Sequence, residues 1–127
     1  MINNFLIMNC TGKNDSIGLK YNNNFFIHKL QTNIRSNDMF VSHLLTITKK
    51  HNLKIDKTLS IIVNVGPGSF SAIRTSLTVA KGLQLSRGAK LYGYNNSDLV
   101  EFNLKNIELL IKKNLLENKL IKPVYLS

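Results

Sequence analysis

The chain has 127 residues, and 17 Lys and Arg against 7 Asp and Glu give it a formal charge of +10. That length suits a single domain, the 43% apolar content excludes a disordered tail, and no apolar run approaches the ~18 residues of a membrane span. Cys10 is the only cysteine, which excludes a disulfide framework and any multi-cysteine zinc site and fits a reducing compartment.

Phe5-Leu6-Ile7-Met8 is continuously apolar and short, as expected of a central strand buried on both faces. Its run into Cys10 superficially resembles a lipoprotein leader. No basic residue precedes it, however, and bulky Met8 and Asn9 stand where small residues would precede cleavage, so the expected location is cytoplasmic. The turn-forming stretch Thr11 to Asp15 leads to Ser16-Ile17-Gly18-Leu19-Lys20, which alternates as a second strand. Asn22-Asn23-Asn24 marks a hairpin loop, and Phe25 to Leu30 reads as the third strand of an antiparallel meander.

The period then changes. Ser36, Asn37 or Asp38 caps a helix running to about His51, with Phe40, Leu44 and Ile47 on one stripe and Val41 and Leu45 beside it. That stripe is wide for a helix covering a sheet on one side, so part of it is expected to face a partner. Ser60 to Val65 is the most strand-like run in the chain. It enters Gly66-Pro67-Gly68-Ser69, then a helix from about Phe70 to Ser86 that stops near Gly88. Lys90 to Tyr94 makes a fifth strand, and a last helix is predicted from about Ser97 to Asn118, with Val100, Leu104, Ile107 and Ile111 on one face. The two helix-linked strands should be parallel by the right-handed crossover rule. The expected fold is α/β: a mixed five-stranded sheet, an antiparallel meander plus two parallel strands, with packed helices. That element order occurs in ribonuclease-H-like and actin-like domains. Neither repeats nor low-complexity linkers divide residues 1–127.

Little in this sequence supports catalysis. The glycines of Gly66-Pro67-Gly68-Ser69 and the helix start behind them suit either a phosphate cradle or a tight strand-to-helix turn capped by Ser69, and the turn is the favoured reading. The loop is not a Walker motif, and Ala72 or Ser71 stands where a dinucleotide motif needs its third glycine. Phe70 and Ser71 after Ser69 also break the G-x-S-x-G elbow of a serine nucleophile. Among the histidines His28, His43 and His51, the last two lie ~80° apart around a helix and converge poorly, so solvated or capping roles are expected and no metal is assigned. Asp15, Asp38, Asp56 and Asp98 fall in loops or near helix starts, where capping explains them. Asn9 ends strand one where an enzyme of this fold would place an Asp to hold a cation or activate water, and an amide lacks that charge. No cofactor is expected.

The charge has a dull explanation. Fourteen Lys against three Arg accompany seventeen Asn and thirteen Ile, the residues that adenine- and uridine-rich codons inflate together. Arg, which bidentate phosphate recognition selects, is scarce. The competing reading is a small basic RNA-binding module, its surface formed by Lys49, Lys50, Lys54 and Lys57 with Lys105, Lys112, Lys113, Lys119 and Lys122. In the second helix Ala72, Ser76 and Ala80 recur every four residues near Val79, a small-residue stripe that allows close helix approach. Packing on the sheet through Ile73, Leu77 and Leu83 or Leu85 is the plain alternative. Two helices apolar or small around much of their circumference nevertheless suggest a protein partner.

Val63 to Leu83, VNVGPGSFSAIRTSLTVAKGL, resembles the most distinctive segment of the TsaB (YeaZ) family, the non-catalytic partner in bacterial tRNA threonylcarbamoyladenosine synthesis. The matching positions are Gly66, Pro67, Gly68, Ser69, Phe70, Arg74, Ala80, Lys81, Gly82 and Leu83, while Ser71 stands for the usual Thr and Ala72 and Ser76 for usual glycines. Tyr92-Gly93-Tyr94 followed by Asn96-Ser97 resembles the family's next strand and capped helix. The resemblance implies an actin-like fold and pairing, largely through the first two helices, with the transferase subunit TsaD. A TsaE-type ATPase joins that assembly in many bacteria, and tRNA is engaged through the complex, with modification at N6 of adenosine 37. Phe40, Val41, Leu44, Leu45, Ala72, Ser76, Val79 and Ala80 are the implied interface, and a homodimer of the chain alone is left open.

This sequence departs from the family in two ways. Asn9 replaces its usual strand-one Asp. A second, related lobe normally follows, whereas here residues 97–127 hold one helix before Ile121-Lys122-Pro123-Val124-Tyr125-Leu126, which resembles the family's closing segment. An internal deletion leaving one partner-binding lobe is the expectation.

Overall fold

The structure is a computed structural model that describes residues 2–30, 37–118 and 121–124. Its strands are β1 (Phe5–Asn9), β2 (Ser16–Tyr21), β3 (Asn24–Lys29), β4 (Ser60–Asn64) and β5 (Lys90–Tyr94), and its α-helices are α1 (Asn37–Lys50), α2 (Phe70–Arg87) and α3 (Leu104–Lys112). They form one sheet in the order β3-β2-β1-β4-β5. β1, β2 and β3 pair antiparallel as the meander requires, whereas β4 is parallel to both β1 and β5. The β2–β3 turn is made by Asn22 and Asn23 with φ of 52° and 67°, left-handed conformations that match strand twist and that Asn tolerates well.

The period-2 alternation of the strands supplies two cores. Leu6, Met8, Ile17, Leu19, Ile61, Val63 and Leu91 face one way, under Phe40, Leu44 and Ile47 of α1 and Leu77, Val79 and Ala80 of α2. Phe5, Ile7, Ile62 and Tyr94 face the other way, under Leu99 and under Ile107 and Leu110 of α3. The central strands β1 and β4 are therefore covered on both sides, which is why they read as unbroken apolar runs. α1 packs against α2, and α2 lies over β4 and β5. α2 ends where Gly88 adopts φ 73° and its N–H donates to the Gln84 carbonyl, 3.0 Å.

The last helix differs from expectation. Residues Asn96–Asp98 form a single 3₁₀ turn, and α3 begins only at Leu104. Two asparagines cause the break by hydrogen-bonding locally. Asn95 Oδ1 accepts from the Ser97 N–H at 3.0 Å, and Asn103 Oδ1 caps α3 by accepting from Asn106 N–H at 2.8 Å. Between them Leu99 is buried, and Val100, expected on the apolar face, is 95% exposed. After α3, Gly93 and Glu117 exchange backbone hydrogen bonds of 2.7 and 2.8 Å, so the returning chain covers the β5 edge. Of the expected features, the cap at Ser36, Lys119, and Tyr125-Leu126 of the closing segment lie outside the described residues, while Asp38 stands in the first turn of α1.

Candidate functional site

Because β1, β4 and β5 run parallel, their C-terminal ends meet at one edge of the sheet, where open α/β folds place their ligands. β1 and β4 both end in asparagine, one step beyond the paired Met8 and Val63. Asn9 Oδ1 accepts from Asn64 Nδ2 at 2.8 Å and from the Tyr94 hydroxyl at 2.7 Å. Asn64 Nδ2 also donates to Asn96 Oδ1 at 3.0 Å, and Asn64 Oδ1 accepts the Gly66 N–H at 2.8 Å. Three strand ends and the glycine turn are thus tied by one neutral network. Burial pushes the Tyr94 phenol well above its ordinary value, with the nearby Cys10 as a smaller cause, so Tyr94 acts here as a neutral donor.

Beside the network lies a cleft of about 330 Å³ lined by Thr11, Gly12, Lys13, Pro67, Gly68, Ser69 and Asn96. The β1–β2 loop and the glycine turn build it by close approach. Gly12 has φ 98°, and a Cβ on it would come within 2.7 Å of Ser69 Cβ. Gly66 has φ 104°, and its Cβ would collide with the backbone carbonyl of Val124. The Gly66–Pro67 peptide is cis.

Two of the backbone donors beside the cleft are already engaged within the chain. Ser69 N–H donates to the Thr11 carbonyl at 2.9 Å, and Gly12 N–H donates to Asp15 Oδ1 at 2.9 Å. Asp15 is buried, and desolvation raises its carboxyl pKa despite the opposing Gly12 and Thr11 N–H groups. Ser69 occupies the N-cap position of α2 without a side-chain capping bond, contrary to its expected capping role; its hydroxyl lies 3.4 Å from that of Ser71. Cys10 is fully buried, and desolvation followed by the Asp15 charge pushes its thiol well up, so it stays protonated and unreactive. The residues lining the cleft include one cation, Lys13, and no carboxylate or histidine. This geometry offers neither a nucleophile with its base nor a carboxylate pair. Its two loops are docked on each other through the Ser69–Thr11 hydrogen bond.

This arrangement of strands and helices recurs in solved structures. The fold is that of YeaZ. YeaZ from Pseudomonas aeruginosa superposes with a TM-score of 0.67 at 13% identity, covering 76% of this chain and 47% of its own. An uncharacterized protein with similarity to peptidase YeaZ from Pseudomonas aeruginosa gives 0.65 at 13% identity, covering 79% and 46%. This chain therefore spans about half the length of the structures it matches. No family model and no curated protein matches the sequence. At such identity the likeness to YeaZ concerns the fold.

The turn residues Pro67, Gly68 and Ser69 line the cleft and Gly66 lies just before them, while Phe70 and Arg74 lie exposed on the first turns of α2, with the Arg74 guanidinium 5.4 Å from the Phe70 ring centroid. The eight expected interface residues divide. Phe40, Leu44, Ala72, Ser76, Val79 and Ala80 are buried in this chain's own core, because α1 and α2 pack on each other as well as on the sheet. Only Val41 and Leu45, at 37% and 54%, are exposed. Leu85, an alternative sheet contact, is instead 87% exposed. Sequence reasoning missed the asparagine network, although matching terminal asparagines on two apolar strands were its visible signal. It also missed a histidine pair. His28 of β3 and His51 beyond α1 meet with Nε2 atoms 2.8 Å apart, which no local spacing could indicate.

Proposed function

We propose that this chain is a non-catalytic interaction subunit that binds a TsaD-type transferase in the complex making N6-threonylcarbamoyladenosine at tRNA position 37. The shared YeaZ fold and the resemblance of residues 63–83 support this reading. The observation that carries it is the outer surface of the α1–α2 layer. Val41 and Leu45, one turn apart on α1, remain exposed after the rest of the apolar stripe is buried. On α2, Gly82 is exposed, and nothing lies within 4 Å of where its Cβ would be. A glycine inside a helix costs ~0.5–1 kcal/mol relative to alanine, and this one has no steric reason within the described residues. Close approach by an external helix supplies the reason.

Val41→Arg with Leu45→Arg should abolish co-purification with the same organism's TsaD-type protein while far-UV circular dichroism stays unchanged. Ser76 is unsuited to that test, since its side chain is buried and an arginine there would disrupt the core. Retention of the complex by the folded double variant would reject this surface. Modification of tRNA by the reconstituted complex, measured with and without this chain, then tests the function itself.

A further inference from the structure

His28 and His51 come from distant parts of the chain and converge side by side. His28 lies on β3, which among the described residues pairs with β2 alone and so forms one edge of the sheet. His51 follows the last turn of α1, and its ring stacks on Phe26 with centroids 4.0 Å apart and planes at 21°. Both rings are half-buried, which restricts their rotation while leaving the edge open to solvent. Their Nε2 atoms are 2.8 Å apart, so one nitrogen carries the shared hydrogen and the other offers it a lone pair.

We propose that His28 and His51 form a two-nitrogen site for a single divalent transition cation of the zinc and nickel class. Imidazole nitrogen suits these ions. Metal–nitrogen bonds of ~2.0–2.1 Å place two ligand nitrogens ~2.9 Å apart at a right angle and ~3.4 Å apart at a tetrahedral angle. The observed 2.8 Å therefore needs an expansion of ~0.1–0.6 Å when the ion replaces the shared proton, and each ring must turn so that its lone pair points ~35–45° off the N···N line toward the ion. The Phe26 stack holds the His51 plane during that exchange. Water completes the coordination from the open side, since among the described residues no group of three or more His, Cys, Asp and Glu side chains could hold a metal together. Burial, and after it the neighbouring His51 and Lys50, lower the His28 pKa and so favour the neutral form that a metal requires, although Lys50 also weakens attraction of the cation. Bound metal would pin the end of α1 to the sheet edge, joining two parts of the fold that this pair otherwise links by a single proton.

The test uses the untagged full chain, titrated with zinc or nickel chloride in a calorimeter above the histidine titration range. Binding of a single ion per chain is expected, with a metal-dependent rise in thermal midpoint. His28→Gln and His51→Gln should each weaken binding at least about tenfold, and His43→Gln should leave it unchanged. Proton–nitrogen correlation spectra of the wild-type imidazoles provide a readout independent of variant folding: the His28 and His51 signals should move together on adding zinc while His43 stays still. Absence of binding at about 1 mM metal, unchanged affinity in the folded His28→Gln variant, or perturbation confined to His43 would each overturn the proposal.

Discussion

Replacing Asn9 by alanine isolates the structural role of the network at the strand ends. Asn9 Oδ1 serves two donors, Tyr94 and Asn64, whose residues are 1% and 0% exposed. The substitution strands the Tyr94 O–H and one Asn64 N–H, while the second Asn64 N–H keeps Asn96. A buried donor left unpaired costs ~1–3 kcal/mol, so the two together cost ~2–6 kcal/mol. Asn9 itself is half-buried, and water entering its place should bring the loss to the lower end, about 2–3 kcal/mol. That remains a large share of the ~5–15 kcal/mol typical of a folded domain. Asn9→Asp keeps the acceptor and should stay within about 1 kcal/mol of wild type. Urea unfolding followed by far-UV circular dichroism is the suitable assay, because the chain has no tryptophan to report. An Asn9→Ala loss below about 0.5 kcal/mol at unchanged slope would refute the network's role, as would an equal loss in both variants.

Substitutions at three further positions probe other claims. Gly82→Ala should raise stability by ~0.5–1 kcal/mol in the same assay, since the added methyl meets open space, while a bulky Gly82→Leu should weaken partner binding. Gly66→Ala combines a positive φ with a collision against the Val124 carbonyl; it should cost more than ~1 kcal/mol and speed hydrogen exchange at the Val124 amide, which donates to Val65. For Asp15, a folded pKa raised above 3.8 means that its destabilising contribution is absent below that pH and grows as pH rises through the folded value. Asp15→Asn keeps an acceptor for Gly12 and removes the charge, so its thermal midpoint relative to wild type should improve between acid and neutral pH; a difference constant with pH would contradict the assignment.

The strands were legible because β1 and β4 are buried on both faces and carry little but apolar residues, and because the asparagine turn sits where the meander reverses. Gly88 and the chain turn at Gly66 were legible for the same local reason. The extent of α3 was not. The apolar spacing from Val100 to Ile111 favours one long helix, yet Asn95 and Asn103 each offer the backbone a competing partner, and Val100 is left in solvent. The interface stripe was overdrawn for a tertiary reason. A helix that packs on both a sheet and a second helix buries a wide arc, so Phe40 and Leu44 needed no outside partner. Convergence of His28 and His51 depends wholly on how β3 and the end of α1 meet.

The buried thiol has a practical consequence. Cys10 is the sole cysteine, shielded from solvent and held protonated, so it should remain silent toward maleimides as long as the chain is folded. A reporter cysteine at Leu45 could then be labelled selectively without engineering the native residue away. Its dye would sit on the surface proposed for the partner, and any label reaching Cys10 would itself reveal unfolding.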